Sequence, residues 1–463
     1  MSPVYRLTKE TFALIAVVYD HTGRDKCADD PFMNTTQLDT LVVRGGRVID
    51  PVTGRDEIAD VAITGGRLVD SSPNGAKVLD AAGCIVCPGF ADIHVHLREP
   101  GLEHKETIET GTLAAAAGGF TFVACMPNTN PPIDTPETVR FVLDKARQAD
   151  HCDVGPVAAI THRRQGQQIT DFKALLEVGA IAFSDDGDGV SDDAVMREAF
   201  KLAAECGAVL MQHCEYRSIS VGGVMHLGEV SKRLGLPGLD PRSEEAMIQR
   251  DIALCRETRA RYHITHVSTA KSVDLVRSAR ADGLPITAEV TPHHIVLTDE
   301  ACADLDPNTK MHPPLRSRAD TEACRMGLVD GTIDCIASDH APHSRQDKSA
   351  GFIEAPPGIV GLETALPLVS KAMIETGLAD WPALIKWFTA GPAKVLGLNP
   401  PSTRTGTPAN LTIFDPDLVW TIDPGRFASK SGNTPFAGWE VSGKAIATVR
   451  GRRMSLSDSD RLA

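Results

Sequence analysis

The stretch FADIHVHLREPG, residues 90–101, is where the texture of the chain changes. Ile93, Val95 and Leu97 alternate with His94 and His96, and that period of two puts both imidazoles on one face of a β-strand. An Arg-Glu-Pro-Gly break follows at once, so the histidine pair stands at a strand end. Two imidazoles there are a ready pair of metal ligands. A half-buried strand with two hydrogen-bonded histidines would look the same, so the surrounding pattern has to decide.

Downstream of Phe90, short apolar runs alternate with amphipathic or Ala-rich segments. The strand candidates are FADIHVHL, FTFVACMP, VGPVAAIT, AIAFSDD, AVLMQHCE, YHITHVS, PITAEVTPHH and DCIASDHAPH. Between them lie helix candidates such as TIETGTLAAAAGG, TPETVRFVLDKARQA and DDAVMREAFKLAAECG. The runs are apolar almost throughout, as strands buried on both faces must be. Eight such units in succession predict a closed (β/α)8 TIM-type barrel, in the α/β class. Upstream, residues 39–85 read as short β-runs, with Gly-Gly pairs at 45–46 and 65–66 marking hairpins. From about Gly406 the β-texture returns in ANLTIFDP, LVWTID and WEVSGKAIATVRGRRM. Both ends are expected to build one small β-sandwich domain, from residues 38–88 and 401–456, around a barrel at 89–400. Residues 1–37 form an extension, expected to be disordered or to come from an upstream start, since MNTTQLDTLVVRGG from Met33 reads as the beginning of the folded part.

Of the 463 residues, 42% are hydrophobic and 23% charged, an ordinary globular balance. The net charge of −14 argues against nucleic acid or an anionic membrane surface as partner. No apolar run is long enough to span a membrane. The apolar patch Phe12 to Val18 is flanked by charge and lacks a small-residue cleavage site, so no signal peptide is expected. Eleven irregularly spaced cysteines suggest buried thiols in a reducing, cytoplasmic setting, with no cysteine-based zinc site.

A barrel places its chemistry at the C-terminal ends of its strands. There the sequence offers His94 and His96 (strand one), Asp185 and Asp186 (four), His213 (five), His266 (six), and Asp339, His340 and His343 (eight). Singly, each could be a cap or a satisfied core group. Together, four imidazoles and two carboxylates at one mouth suit two divalent ions bridged by hydroxide. Spacing does not choose between Asp185 and Asp186.

The order H-x-H, His, His, Asp resembles the amidohydrolase superfamily. The motifs DIHVHLREPG, ACMPNTNP, AFSDDG, QHCE, THVST, AEVTPHH and ASDHAPH look like a class I, zinc-dependent dihydroorotase over nearly the whole chain after residue 38. Many relatives bridge their metals with a carboxylated lysine on strand four; VGAIAFSDDG has no lysine. The resemblance implies two zinc ions per subunit. His94, His96 and Asp339 would bind one, His213 and His266 the other, and Asp186 and a hydroxide would bridge them. It also implies Asp339 as general acid/base, and Arg98, Asn128 and His343 as contacts to the carboxylate of dihydroorotate. Arg98 could otherwise be a solvated surface arginine, and Asn128 an Asx turn before Pro131. His312 in MHPPLR stands where the family has a substrate-contacting asparagine, and Pro357 replaces an aromatic residue. The segment HSRQDKSAGFIEAPPG, residues 343–358, reads as a loop over the site. The implied reaction is the reversible cyclisation of N-carbamoyl-L-aspartate to (S)-dihydroorotate in pyrimidine synthesis. Allantoinase or dihydropyrimidinase activity, or a non-catalytic scaffold for aspartate transcarbamoylase, are the alternatives. A homodimer and a complex with that transcarbamoylase are both compatible with the resemblance.

Overall fold

The computed structural model describes residues 34–71, 74–457 and 461–462. The expected N-terminal extension therefore lies outside the described residues up to position 33. The eight strands expected after Phe90 are all present and pair in parallel, in sequence order. They are Phe90–Val95, Phe120–Cys125, Asp153–Ala158, Ala182–Phe183, Val209–Gln212, Arg261–Ile264, Ile286–Val290 and Cys335–Ile336. Alternate side chains go to opposite faces. Ile93, Ala124, Met126, Val157, Met211 and Ala337 fill one apolar cluster, while Phe90, Val123, Ala158 and Leu210 join the larger cluster with the helices.

The seam between strands one and eight closes through a parallel bridge from Val95 to His340 and a bond from His96 N–H to the His340 carbonyl at 2.9 Å. Asp92 staples the same seam. Its carboxylate accepts the N–H of His94 at 3.0 Å and of Ser338 at 2.9 Å. Burial pushes this carboxyl up to about 7, with those hydrogen bonds opposing.

The helices start where the sequence supplies caps. Thr107 and Thr135 each close a capping box ahead of Ile108–Ala117 and Pro136–Ala149, and Asp192 accepts the N–H of Ala194 and Val195 ahead of Asp193–Cys206.

Segments from both chain ends meet in one nine-stranded sheet. Asn34–Gln37 pairs antiparallel with Arg453–Leu456, and Ile85–Pro88 pairs antiparallel with Asn410–Thr421, so neither half is complete alone. The sheet curls back on itself. Leu68 N–H donates to the Thr407 carbonyl at 3.0 Å and Ala409 N–H to the Gly66 carbonyl at 2.9 Å. Inside lies a core of Leu41, Val43, Ile63, Leu79, Val86, Leu411, Ile413 and Val449.

The Gly65–Gly66 hairpin is present, both residues at positive φ between the paired Thr64 and Arg67. The Gly45–Gly46 pair makes no hairpin. It lies within the single strand Thr40–Asp50, at a register shift between Val43 and Gly46 with Gly45 at φ 72°, and so forms a bulge. The chain reverses instead after Asp50, whose carboxylate takes the N–H of Val52 at 2.9 Å.

Residues 429–434, within the C-terminal segment, return to the barrel mouth. Ser429 donates to Glu106, and the Asn433 side chain bonds the Ala341 and Gly358 carbonyls and the His343 N–H.

Candidate active and metal site

Strand ends one, four, five, six and eight bring the expected ligands into one buried cluster around Asp186. The nearest ring nitrogens of His94, His96, His213 and His266 lie 3.2, 3.5, 3.7 and 3.8 Å from its carboxylate oxygens. Asp339 Oδ1 is 2.9 Å from His96 Nε2 and 3.6 Å from His94 Nε2. His213 Nδ1 faces His266 Nε2 at 2.9 Å.

Two sets, His94/His96/Asp339 and His94/Asp186/His266, hold their donor atoms within 4.8 Å of one another. His94 Nε2, Asp186 Oδ1 and His213 Nε2 are buried without any hydrogen-bond partner. A buried polar atom left unmatched costs about 1–3 kcal/mol. Two of them, His94 Nε2 and Asp186 Oδ1, face one imidazole–carboxylate pocket and fit a bound divalent cation, whereas His213 turns Nδ1 to that pocket and Nε2 toward Glu215, 3.8 Å away.

Protonation divides the ligands: burial opposes the charge of His94, but the carboxylates of Asp186, Glu289 and Asp339 outweigh it and raise that imidazole well above its ordinary value. Burial lowers the proton affinity of His96 and His213, favouring the neutral form a metal needs. Burial would raise Asp186 and Asp339, but the facing histidines outweigh it and hold both carboxyls below the usual range.

The two aspartates of the SDDG run do different work. Asp185 turns away from the cluster and accepts the Thr161 N–H at 3.0 Å together with the Thr161 hydroxyl, tying the loop after strand three to strand four. Asp186 alone faces the imidazoles. The choice that spacing left open is made by Thr161.

Glu289 was missed in the sequence. It is fully buried on strand seven and accepts from His94 Nδ1 at 2.6 Å, His263 Nε2 at 3.0 Å and the His266 N–H at 3.2 Å. Burial opposes its charge, but His94 and His263 outweigh that and push it down to about 2. An Nδ1–H donated to Glu289 leaves the His94 Nε2 lone pair aimed into the pocket. Asn128 does the same for His96, with Oδ1 2.8 Å from Nδ1. A charged residue inside the apolar run PITAEV was the available signal for Glu289. Backbone strain marks the same place: Arg98, His266 and Asp339, none a glycine, sit at φ 61°, 31° and 47°.

Arg98 is buried rather than solvated. Its Nε donates to the Pro342 carbonyl at 3.2 Å, and among the described residues no carboxylate pairs with it. Burial lowers it to about 10, which leaves it a cation at neutral pH. His343 lies within its field; burial, then Arg98 and Lys105, push that imidazole down to about 2. Both His343 ring nitrogens are engaged, Nε2 with the Pro357 carbonyl at 2.9 Å and Nδ1 with Lys105 Nζ at 3.4 Å. His312 stacks on His213 with ring centroids 5.1 Å apart, and its Nε2 donates to Glu215 at 2.8 Å.

The segment 343–358 contains two short helices, Arg345–Lys348 and Gly351–Glu354. It is tied down by Lys348 Nζ on the Pro307 and Pro356 carbonyls and by Lys310 Nζ on the Ile353 carbonyl. Burial and then Lys310 lower Lys348 to about 7.

The described cysteines are all free. The sequence does contain one C-x-x-C spacing, Cys84 to Cys87. Its two thiols are packed into separate apolar clusters and join no ligand group. Among the described residues no helix is long and apolar enough to cross a membrane.

A (β/α)8 barrel with buried histidines and aspartates gathered at one mouth, flanked by a sheet made from both chain ends, defines the amidohydrolase class. The structure of L-hydantoinase (dihydropyrimidinase) from Arthrobacter aurescens superposes with a TM-score of 0.79 at 26% identity, over 89% of this chain and 95% of that one. Residues 83–272 match a family model described as dihydro-orotase-like. A dihydroorotase of Pelotomaculum thermopropionicum is 48% identical over 90% of this chain and 99% of its own length. One of Geobacillus thermodenitrificans is 48% identical over 82% and 88%. The chain belongs to the dihydroorotase family.

Proposed function

We propose that this protein is a dihydroorotase, closing N-carbamoyl-L-aspartate into (S)-dihydroorotate with loss of water, and reopening it, on the route to UMP. The observation that carries this reading is the 48% identity sustained across 99% of a protein named dihydroorotase. In this reading His94, His96 and Asp339 would hold one metal ion, His213 and His266 a second, and Asp186 would serve both. The thiolate-free imidazole and carboxylate set suits zinc. When bound, the ions would supply Lewis acidity at the ring carbonyl and lower the pKa of water.

The chain's own groups do the rest. In ring opening, water adds to the amide carbon, the C–N bond breaks and the nitrogen gains a proton. Asp339, ionised at rest, takes the proton from water and returns it to that nitrogen. Arg98, a buried cation without a carboxylate partner, grips the substrate carboxylate. With Asn128 Oδ1 committed to His96, its Nδ2 is left to donate to the substrate. His343 keeps the wall behind Arg98 in place, and His312 borders the pocket beside His213. Free cysteines among the described residues favour a cytoplasmic setting. The mass of the native particle, alone and with aspartate transcarbamoylase, would test for the homodimer and the complex.

The test is turnover of dihydroorotate, hydantoin, dihydrouracil and allantoin by the purified protein, before and after chelation, with metal content measured on the same sample. Chelator-sensitive turnover of dihydroorotate alone is expected. Metal-loaded protein that opens another ring but not dihydroorotate would defeat the reading in favour of the hydantoinase-like alternative. Inactivity on all four would favour the scaffold.

A further inference from the structure

Away from the barrel mouth, a cavity of about 720 Å³ opens beside the end of the helix Ile108–Ala117, between the 420–427 segment and the strand Glu440–Arg450. That volume is within the range of small-molecule sites, roughly 300–1,000 Å³. None of the residues assigned to the barrel-mouth site lines it.

Two cations face this space, Lys444 and Arg426. Lys444 Nζ stands 5.1 Å from the centre of the Trp420 ring, a cation–π contact. Among the described residues neither cation forms an ion pair or a side-chain hydrogen bond. They also act on each other: burial and then the Arg426 charge lower the proton affinity of Lys444, with Glu363 opposing.

Two acids, Glu363 and Asp423, also line the cavity, and each accepts hydrogen bonds from backbone N–H groups. Glu363 accepts the N–H of Ala428 and of Ser429, each at 3.1 Å, and burial pushes it up to about 7. Asp423 accepts the Gly425 N–H at 2.9 Å.

We propose that this cavity binds a phosphate monoester, with the phosphate between Lys444 and Arg426 and the organic body against Leu366, Trp420 and Phe427. Two cations lining one cavity, neither ion-paired among the described residues, match a dianion better than a single carboxylate, and a phosphate monoester carries about −1.5 to −2 at neutral pH. A guanidinium fork adds bidentate geometry to the ammonium's point charge. The volume leaves room for more than the phosphate itself.

The test is calorimetric titration of the metal-loaded, full-length protein with 5′-AMP, inorganic phosphate and citrate at fixed ionic strength. Saturable binding of 5′-AMP is expected, tighter than that of citrate. Lys444→Met or Arg426→Met should weaken it by about tenfold or more, the scale of one charge-assisted hydrogen bond, and the double variant should abolish it. Ala437→Trp, which fills the rim with both charges intact, should also block it, while Arg140→Met, on an exposed helix face, should not. Melting temperatures verify folding, and dihydroorotate turnover without the probe should be unchanged in all of these variants. Absence of saturable binding, equal binding by the double variant, citrate binding as tightly as 5′-AMP, or loss of binding in Arg98→Met would each overturn the proposal. The last would place the phosphate in the barrel mouth.

Discussion

The barrel mouth and the nine-stranded sheet are both β-structures with tightly buried interiors, but they bury different chemistry. The interior of the sheet is aliphatic, with Leu41, Val86, Leu411 and Ile413 almost free of solvent. The mouth buries His94, Asp186, His213, Glu289 and Asp339, each within reach of another ionisable group. Burying ionised groups is expensive unless each is paired, so a fold selected for stability alone has no use for such a cluster. The sheet therefore carries stability and the mouth carries function, and substitutions should separate the two.

The largest effect is expected from Asp339→Asn, which keeps the shape and removes the proton acceptor. A loss of about 10²–10⁴-fold in kcat is predicted, with metal content largely kept; near-normal turnover would exclude Asp339 as the base. Glu289→Gln comes next. It holds His94 by Nδ1 and His266 by its backbone N–H, so a loss of about 10–100-fold in metal affinity or activity is expected. If metal content and kcat both stayed at wild-type levels, Glu289 would not be orienting His94. Leu411→Ala should do the reverse. A buried leucine truncated in the sheet should cost about 2–5 kcal/mol in denaturant unfolding and leave kcat per folded molecule alone. A parallel loss of kcat would blur the division.

The smallest effect concerns Lys348, in the helix Arg345–Lys348. Its folded pKa is near 7 against an ordinary 10.5, so above pH 7 the native state gives up this proton before the unfolded chain does. Its contribution to stability therefore rises with pH between 7 and 10.5, and is lowest below 7, where both states are charged. The slope is at most about 1.4 kcal/mol per pH unit. Lys348→Met should remove that rise from a plot of unfolding free energy against pH; identical slopes would show that Lys348 is not the group responsible.

Much of this was legible before any coordinates, because period and position are local properties. FADIHVHL announces a strand with both imidazoles on one side, and the eight apolar runs announce the barrel. What sequence could not carry were partnerships across distance. Asp185 and Asp186 are equivalent in one dimension, and only Thr161, from another loop, separates them. Glu289 sat in a quoted motif without a role because its partners come from strands one and six. Gly45–Gly46 was misplaced for a different reason: a glycine pair permits a bulge as readily as a reversal, and the Asx turn after Asp50 took the reversal. The return of residues 429–434 to the mouth had no local signal.

The seam between strands one and eight carries one more consequence, for synthesis. The contact of His96 with Asp339 joins residues 243 positions apart, and the Asp92 staple to Ser338 joins residues 246 apart. Contacts of that sequence separation are entropically costly to close and form late. A ribosome-bound chain that has emerged only as far as strand seven holds seven of the eight strands, Glu289 included, but neither Asp339 nor the ring closure that positions His96. Hydrolytic competence should therefore arrive in one step near the end of barrel synthesis. Chains arrested before Asp339 should display a growing row of histidines to passing metal ions without the ability to act on a substrate.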